Sequence, residues 1–146
     1  MNTIVAIWNS GAKGKSSTIL ELANLLINRF PSNKIIFCDK NTNNLTIDFR
    51  LIIEINGKTI ALESQGDPTT KLDQRLDDIA TKYNPNILFC TCRTRGETVQ
   101  AIDDTANNFS YDIIWTSTYQ TTHSTQLANQ LKAEHLLDFI IKMGLL

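Results

Sequence analysis

The chain has 146 residues, with 14 basic and 15 acidic side chains and a net charge near −1. This length suits one domain whose core needs no disulfide or metal, and the 42% of hydrophobic residues excludes an intrinsically disordered chain. No apolar run approaches the roughly 20 residues that a membrane span needs, so we expect no membrane partner. The balanced charge gives no general attraction to nucleic acid, and a nucleic-acid partner is not indicated.

The three cysteines, Cys38, Cys90 and Cys92, lie in apolar runs. An odd number of cysteines in such runs is typical of reduced thiols rather than of a disulfide framework. The first residues of the chain lack the basic segment of a signal peptide. We therefore expect a cytoplasmic protein.

Strand-like and helix-like patterns alternate along the chain. Short apolar runs bounded by turn residues predict strands, and apolar residues at three- and four-residue spacing predict helices. The predicted strands are 3–8, 34–39, 49–55, 58–63, 86–92 and 111–116. The predicted helices are 16–30, a helix opened by Asp67 and Pro68 and ending near 83, 97–109, and one or two helices over 122–143.

The pair Asn56-Gly57 separates the third and fourth predicted strands. An Asn-Gly pair between two strand-like runs predicts a hairpin, because both turn positions need positive φ. A loop without a predicted helix joins the second strand to the third, and the remaining strands are joined through helices, as parallel pairing requires. The sequence thus predicts a single α/β domain over residues 1–146, with helices on both faces of a mostly parallel six-stranded sheet containing one antiparallel hairpin.

The segment 9–17 reads NSGAKGKSS and lies between the first predicted strand and the first predicted helix. It resembles the Walker A loop, G-x-x-x-x-G-K-[ST], of the P-loop nucleoside triphosphate hydrolase superfamily, with Asn9 in place of the first glycine. The resemblance implies a phosphate chain held by backbone N–H groups, by Lys15 and by a Mg²⁺ ion on the Ser16 hydroxyl. The implied phosphate-binding residues are Asn9, Ser10, Gly11, Ala12, Lys13, Gly14, Lys15, Ser16, Ser17 and, from a later segment, Gly66. The alternative is a tight glycine turn with an exposed lysine and Ser16 as a plain helix cap.

The segment 63–68 follows the second strand of the hairpin. It resembles the D-x-x-G segment of GTPase-like P-loop proteins, with Glu63 replacing the aspartate. The resemblance implies that Glu63 contacts Mg²⁺ through water and that the N–H of Gly66 senses the γ-phosphate. Asp67 stands at the place of the water-orienting glutamine, which makes it a candidate catalytic residue. The alternative is that Asp67 caps the following helix, with Pro68 at its first position.

Further polar residues follow other predicted strands. Ligands of open α/β sheets bind beyond the carboxyl ends of the strands, where Arg93, Arg95 and 116–118 fall. The two arginines could neutralise a transferring phosphoryl group, or they could belong to a surface loop. Asp39 could act as a general base toward an acceptor hydroxyl, or could be a plain loop acid. The chain has no N-K-x-D motif after its later strands, which favours ATP over GTP.

These patterns lead to three functional hypotheses. The first is Mg²⁺-dependent binding and slow hydrolysis of a nucleoside triphosphate, ATP or GTP, in a switch that acts on a protein partner or in a homodimer. The second is a small nucleotide or small-molecule kinase, favoured by Asp39 and the two arginines. The third is a non-catalytic nucleotide-sensing module, favoured by the departures from the motifs at Asn9 and Glu63. The predicted catalytic residues are Lys15, Glu63, Asp67, Arg93 and Arg95, and the predicted metal-linked residues are Ser16 and Glu63.

Overall fold

A computed structural model describes residues 1–11 and 14–146. In these residues the strands are β1 (Asn2–Trp8), β2 (Lys34–Cys38), β3 (Arg50–Ile55), β4 (Lys58–Glu63), β5 (Ile87–Cys92) and β6 (Tyr111–Thr116). The α-helices are α1 (Lys15–Arg29), α2 (Leu72–Tyr83), α3 (Glu97–Phe109) and α4 (Thr125–Lys142). Short 3₁₀ turns span Thr42–Asn44 and Pro68–Thr70.

The strands form one sheet in the order β2-β3-β4-β5-β1-β6. Strand β3 runs antiparallel to both of its neighbours, whereas β4, β5, β1 and β6 pair in parallel. The turn residues Asn56 and Gly57 have φ of 53° and 76°, as their type predicts for a two-residue hairpin. The predicted α/β fold, with a mostly parallel six-stranded sheet and one antiparallel hairpin, is confirmed.

Alternating side chains of β1, an interior strand of the sheet, contribute to both halves of the core. Val5 and Ile7 pack with α1 and α4, and Ile4 and Ala6 pack with α2 and α3. All four are fully buried, as expected for a strand covered by helices on both faces. The sheet is therefore the middle of three layers. Among the described residues, no helix combines the length and the apolarity that a membrane span requires.

One predicted helix begins later than expected, and one alternative left open by the sequence is decided. The helix expected to open at Asp67 begins only at Leu72, because Lys71 adopts a left-handed conformation with φ of 56° that separates it from the preceding 3₁₀ turn. The Asp67 side chain makes no cap hydrogen bond. Asp67 nevertheless occupies the N-cap position with Pro68 directly after it, as the cap alternative predicts, but the element that it precedes is the 3₁₀ turn Pro68–Thr70 and not α2. The C-terminal helical pattern is one helix, α4, and His123 precedes it.

Candidate functional site

The turn from β1 into α1 lies at the carboxyl end of the parallel strands. Gly14 immediately precedes α1 with φ of 81° and ψ of 12°, a left-handed conformation that glycine adopts without steric cost. The carbonyl oxygen of Gly14 accepts hydrogen bonds from the backbone N–H of Thr18 at 2.9 Å and from its hydroxyl at 2.8 Å. The N-terminus of α1, with its partial positive charge, thus points to this edge of the sheet. The predicted phosphate contacts of Ala12 and Lys13 fall outside the described residues.

Asn9 fixes the start of this turn. Its side-chain amide donates to the Thr118 hydroxyl at 2.9 Å, and its side-chain oxygen accepts from the N–H of Ser10 at 2.8 Å. Its backbone N–H donates to the carbonyl of Cys92 at 3.2 Å. Asn9 therefore joins the ends of β5 and β6 to the predicted phosphate loop, through a contact with Thr118 that spans 109 residues of sequence.

Lys15 is buried at the start of α1, with 6% of its surface exposed. Its ammonium group donates to the carbonyl oxygens of Asn9 at 2.9 Å and Ser10 at 3.2 Å. Burial lowers the pKa of Lys15; the charge of Asp67 opposes this shift and that of Arg93 adds to it. The expectation of an exposed lysine, given by the plain-turn alternative, is wrong.

A cleft of ≈ 470 Å³ opens in front of the α1 N-terminus. It brings together residues from the turn with residues that follow β4, as the two resemblances predict. It also contains residues that were not predicted from the sequence, from the loop before β3 and from β5. The lining residues are Gly14, Lys15, Ser16, Ser17, Ile47, Asp48, Gly66, Asp67 and Thr91.

One backbone carbonyl links three walls of this cleft. The carbonyl oxygen of Ser64 accepts hydrogen bonds from the hydroxyls of Ser16 and Thr91, each at 3.2 Å. Two residues further on, Gly66 is packed so closely that an added Cβ would lie 1.8 Å from the carbonyl oxygen of Thr91. Only glycine fits at position 66 without a backbone shift.

Arg93 pairs with Asp67, one of the residues that line the cleft. Its Nε lies 3.1 Å from Oδ1 of Asp67, and its guanidinium covers Gly11, where an added Cβ would meet Nη1 and Nη2 at 2.8 Å. Its backbone N–H is held by the Thr98 hydroxyl at 3.0 Å. Arg95 lies exposed on the same loop before α3. Of the two predicted arginines, Arg93 therefore contacts Gly11 of the predicted phosphate loop and Asp67.

The Glu63 carboxylate pairs with arginines on the face of the sheet opposite α1. Its Oε1 accepts from Nε of Arg50 at 3.0 Å and from Nη2 at 2.9 Å, and Arg75 lies 3.6 Å away. Arg50 also pairs with Asp78 at 2.7 Å. Burial raises the pKa of Glu63, against the opposing attraction of Arg50. The carboxylates that line the cleft are those of Asp48 and Asp67, and the magnesium-linked role of Glu63 stays a prediction.

Asp39 lies at the far end of the sheet. Strand β2, which it follows, is separated from β1 by three other strands. Its Oδ1 accepts from the backbone N–H of Arg50 at 2.8 Å, which ties it to β3. The loop that follows Asp39 contains Asp48, which lines the cleft.

A second cleft, of ≈ 750 Å³, lies on the other side of Gly14. It is formed by the loop after β6 and the first turns of α4, with lining residues Gly14, Tyr119, Gln120, Thr121, Thr122, Thr125 and Asn129. Oδ1 of Asn129 would lie 2.6 Å from a Cβ at Gly14, so α4 packs directly on the turn. The two clefts therefore meet at Gly14.

The loop that borders this second cleft is fixed to α4 by polar contacts. The Tyr119 hydroxyl lies 2.8 Å from Nδ1 of His135, and the ammonium of Lys132 lies 4.8 Å from the centre of the Tyr119 ring. Lys132 also donates to the Thr116 hydroxyl at 2.8 Å. Of this cluster, only Thr116 was predicted from the sequence to lie at the edge of the site.

The described residues contain no group of three or more His, Cys, Asp or Glu side chains that could hold a metal ion by themselves. Comparisons with protein-family models, curated proteins and solved structures gave no match. The functional conclusion therefore depends on the residues and their geometry alone.

Proposed function

We propose that this chain binds a nucleoside triphosphate together with Mg²⁺, with the phosphates in the cleft of Lys15 and the nucleoside in the cleft of Tyr119. The observation that carries the proposal is that the two clefts meet at Gly14, in front of the α1 N-terminus. Helix N-termini favour anions, and a buried lysine beside one adds a full positive charge. ATP is the preferred ligand and GTP the alternative, since the sequence lacks N-K-x-D.

The polar groups of the phosphate cleft suit Mg²⁺ bound with a nucleotide. Mg²⁺ takes oxygen ligands and is usually held by one or two carboxylates together with substrate phosphates. Ser16, which carries a hydroxyl, and the carboxylate residues Asp48 and Asp67 are among the residues that line this cleft. Bound Mg²⁺ would neutralise charge on the phosphates.

The chain's own residues would then act on the terminal phosphate. The ammonium of Lys15 would exchange two carbonyl partners for phosphate oxygens, and the guanidinium of Arg93 would bind the same charge. The carboxylate of Asp67, which lines this cleft, would orient a water molecule. Because Asp67 is also paired with Arg93, at 3.1 Å, we propose slow hydrolysis in a switch that acts on a partner.

One observation favours the non-catalytic sensing module as a second candidate. Glu63, the acid that the GTPase-like resemblance assigns to the metal, is paired with Arg50 and Arg75. A site deprived of this acid could bind nucleotide without turnover. Binding and phosphate release must therefore be measured separately.

The test is a thermal-stability screen of the whole chain with ATP, GTP, ADP and inorganic phosphate, each with and without Mg²⁺. A ligand at 100 times its Kd should stabilise the fold by about 2.7 kcal/mol. Lys15→Ala should abolish this shift, while the exposed Lys58→Ala should keep it. Phosphate release from the stabilising triphosphate then selects hydrolase or sensing module. If no nucleotide shifts the melting temperature of the wild type, the proposal is wrong.

A further inference from the structure

Strand β2 forms one end of the sheet and is unusually exposed for an apolar strand. Ile35, Ile36 and Phe37 are consecutive, and 37%, 42% and 39% of their surfaces are accessible. Only one side of β2 pairs with another strand in the sheet of the described residues. An edge strand with open backbone groups and apolar side chains is a template for a further strand.

The backbone groups at this edge have a definite spacing. In an antiparallel ladder alternate residues turn their N–H and C=O toward the neighbouring strand. The backbone N–H of Asp39 donates to the carbonyl oxygen of Arg50. The backbone groups of Asp39 therefore face β3, and those of its neighbour Cys38 face the open edge of the sheet. Ile35 lies opposite Ile53. Because Ile53 is three residues from Arg50 along β3, its backbone groups face away from β2, and those of Ile35 therefore face the open edge. Ile35 and Cys38, whose backbone groups face the open edge, are three residues apart because of the irregularity between Ile35 and Phe37. In a regular strand such residues are two or four apart.

A second copy of β2 matches this spacing. When two copies run antiparallel about a two-fold axis between Ile36 and Phe37, Ile35 of each lies opposite Cys38 of the other. Both members of each pair then turn their backbone groups to the partner, as a ladder requires. The same register places Lys34 opposite Asp39 of the other copy, so that opposite charges meet at both ends.

From this agreement of backbone spacing and charge, we propose that two copies of the chain dimerise through β2 and join their sheets into one. The interface is isologous, because one strand supplies both halves of it. A different partner strand would have to reproduce the three-residue spacing and the charge order, whereas a second copy has both. The proposal does not depend on nucleotide binding.

Sedimentation equilibrium of the full chain, at several protein concentrations, measures the association. We expect a monomer–dimer equilibrium for the wild type. Lys34→Asp should place like charges together at both ends and raise the dimer Kd by roughly tenfold or more. Asp39→Lys should do the same. Lys58→Asp makes an equal charge change on the hairpin and should leave the Kd unchanged; melting temperatures check that every variant is folded.

An equimolar mixture of Lys34→Asp and Asp39→Lys chains gives the sharpest result. In the mixed dimer each end again carries one acidic and one basic residue, so the two weakened variants should associate with each other more tightly than either does with itself. A monomeric wild type, or a dimer that Lys34→Asp and Lys58→Asp affect equally, would overturn the proposal. A mixture that associates no better than its components would also overturn it.

Discussion

The Nζ atom of Lys15 lies 2.9 Å from the carbonyl oxygen of Asn9, six residues earlier in the chain. A cation at the start of a helix is thereby held by the turn that leads into it. Carbonyl dipoles compensate a buried ammonium only in part, which agrees with the lowered pKa of Lys15. A phosphate oxygen in their place would bring full negative charge and raise that pKa again.

The lowered pKa of Lys15 predicts a pH dependence of stability. Between its folded pKa and the unfolded value near 10.5, the unfolded chain holds a proton that the folded chain has lost. The free energy of unfolding contributed by Lys15 should therefore rise with pH across this window. Urea unfolding of wild type and Lys15→Met from neutral to alkaline pH measures it, with Lys58→Met as the control. A difference between wild type and Lys15→Met that stays flat or falls with pH would contradict the assignment.

Replacing Arg93 should affect a triphosphate more than replacing Arg95. Arg93 lies over Gly11 and pairs with Asp67, whereas Arg95 is exposed on the loop. Because a hydrogen bond to a charged group contributes about 1.5–3 kcal/mol, Arg93→Ala should weaken binding by roughly tenfold or more. Arg95→Ala should change it little. Calorimetric titration of both variants with the stabilising triphosphate makes the comparison, and equal losses would remove Arg93 from the site.

Removing Arg50 should destabilise the fold strongly at neutral pH. Breaking a buried ion pair by deleting one partner costs about 3–5 kcal/mol, because the other charge stays buried. Glu63 is that charge in Arg50→Met. The loss should shrink at acidic pH, since a Glu63 whose pKa is raised takes up a proton in the folded state before it does so in the unfolded state.

Urea unfolding at neutral and mildly acidic pH measures this loss. The double variant Arg50→Met/Glu63→Leu should recover much of the stability, because it leaves no buried charge unpaired. A loss that is the same at both pH values would mean that Glu63 does not determine it.

Gly66→Ala should destabilise the chain more than Gly11→Ala. The new methyl group at position 66 would meet the backbone of Thr91, which cannot move without disturbing β5. Such overpacking typically costs about 1–3 kcal/mol. At position 11 the obstacle is the end of the Arg93 side chain, which can turn away. Thermal unfolding of the two variants compares them, and the reverse order would show that the segment after β4 adapts freely.

The parts of the fold that local sequence determines could be predicted. The apolar run of β1 predicts a strand buried on both faces, and the turn pair Asn56-Gly57 predicts the hairpin, in both cases without reference to distant residues. The ion pair between Glu63 and Arg50 could have been predicted as well. A two-residue turn fixes the register of a hairpin, and this register places Arg50 opposite Glu63.

The rest of the site depends on contacts that no local pattern encodes. Asp48 enters the phosphate cleft on a loop that starts at the far end of the sheet, and Asn129 reaches Gly14 from the last helix. Both placements follow from how α4 and the loop before β3 pack on the sheet. The sequence context of Asp67 suits a helix cap as well as a catalytic role, but its carboxylate pairs with Arg93, 26 residues further along the chain, and no local pattern predicts that contact.

The carbonyl oxygen of Ser64 has a consequence for communication within the molecule. It accepts one hydrogen bond from Ser16, at the head of α1, and one from Thr91, in β5. If the Ser16 hydroxyl turns toward a cation, the segment that leads to Asp67 loses one of these two anchors. A cation bound at the first turn of α1 would thus affect the segment before Asp67 through the carbonyl oxygen of Ser64, without a rearrangement of the sheet.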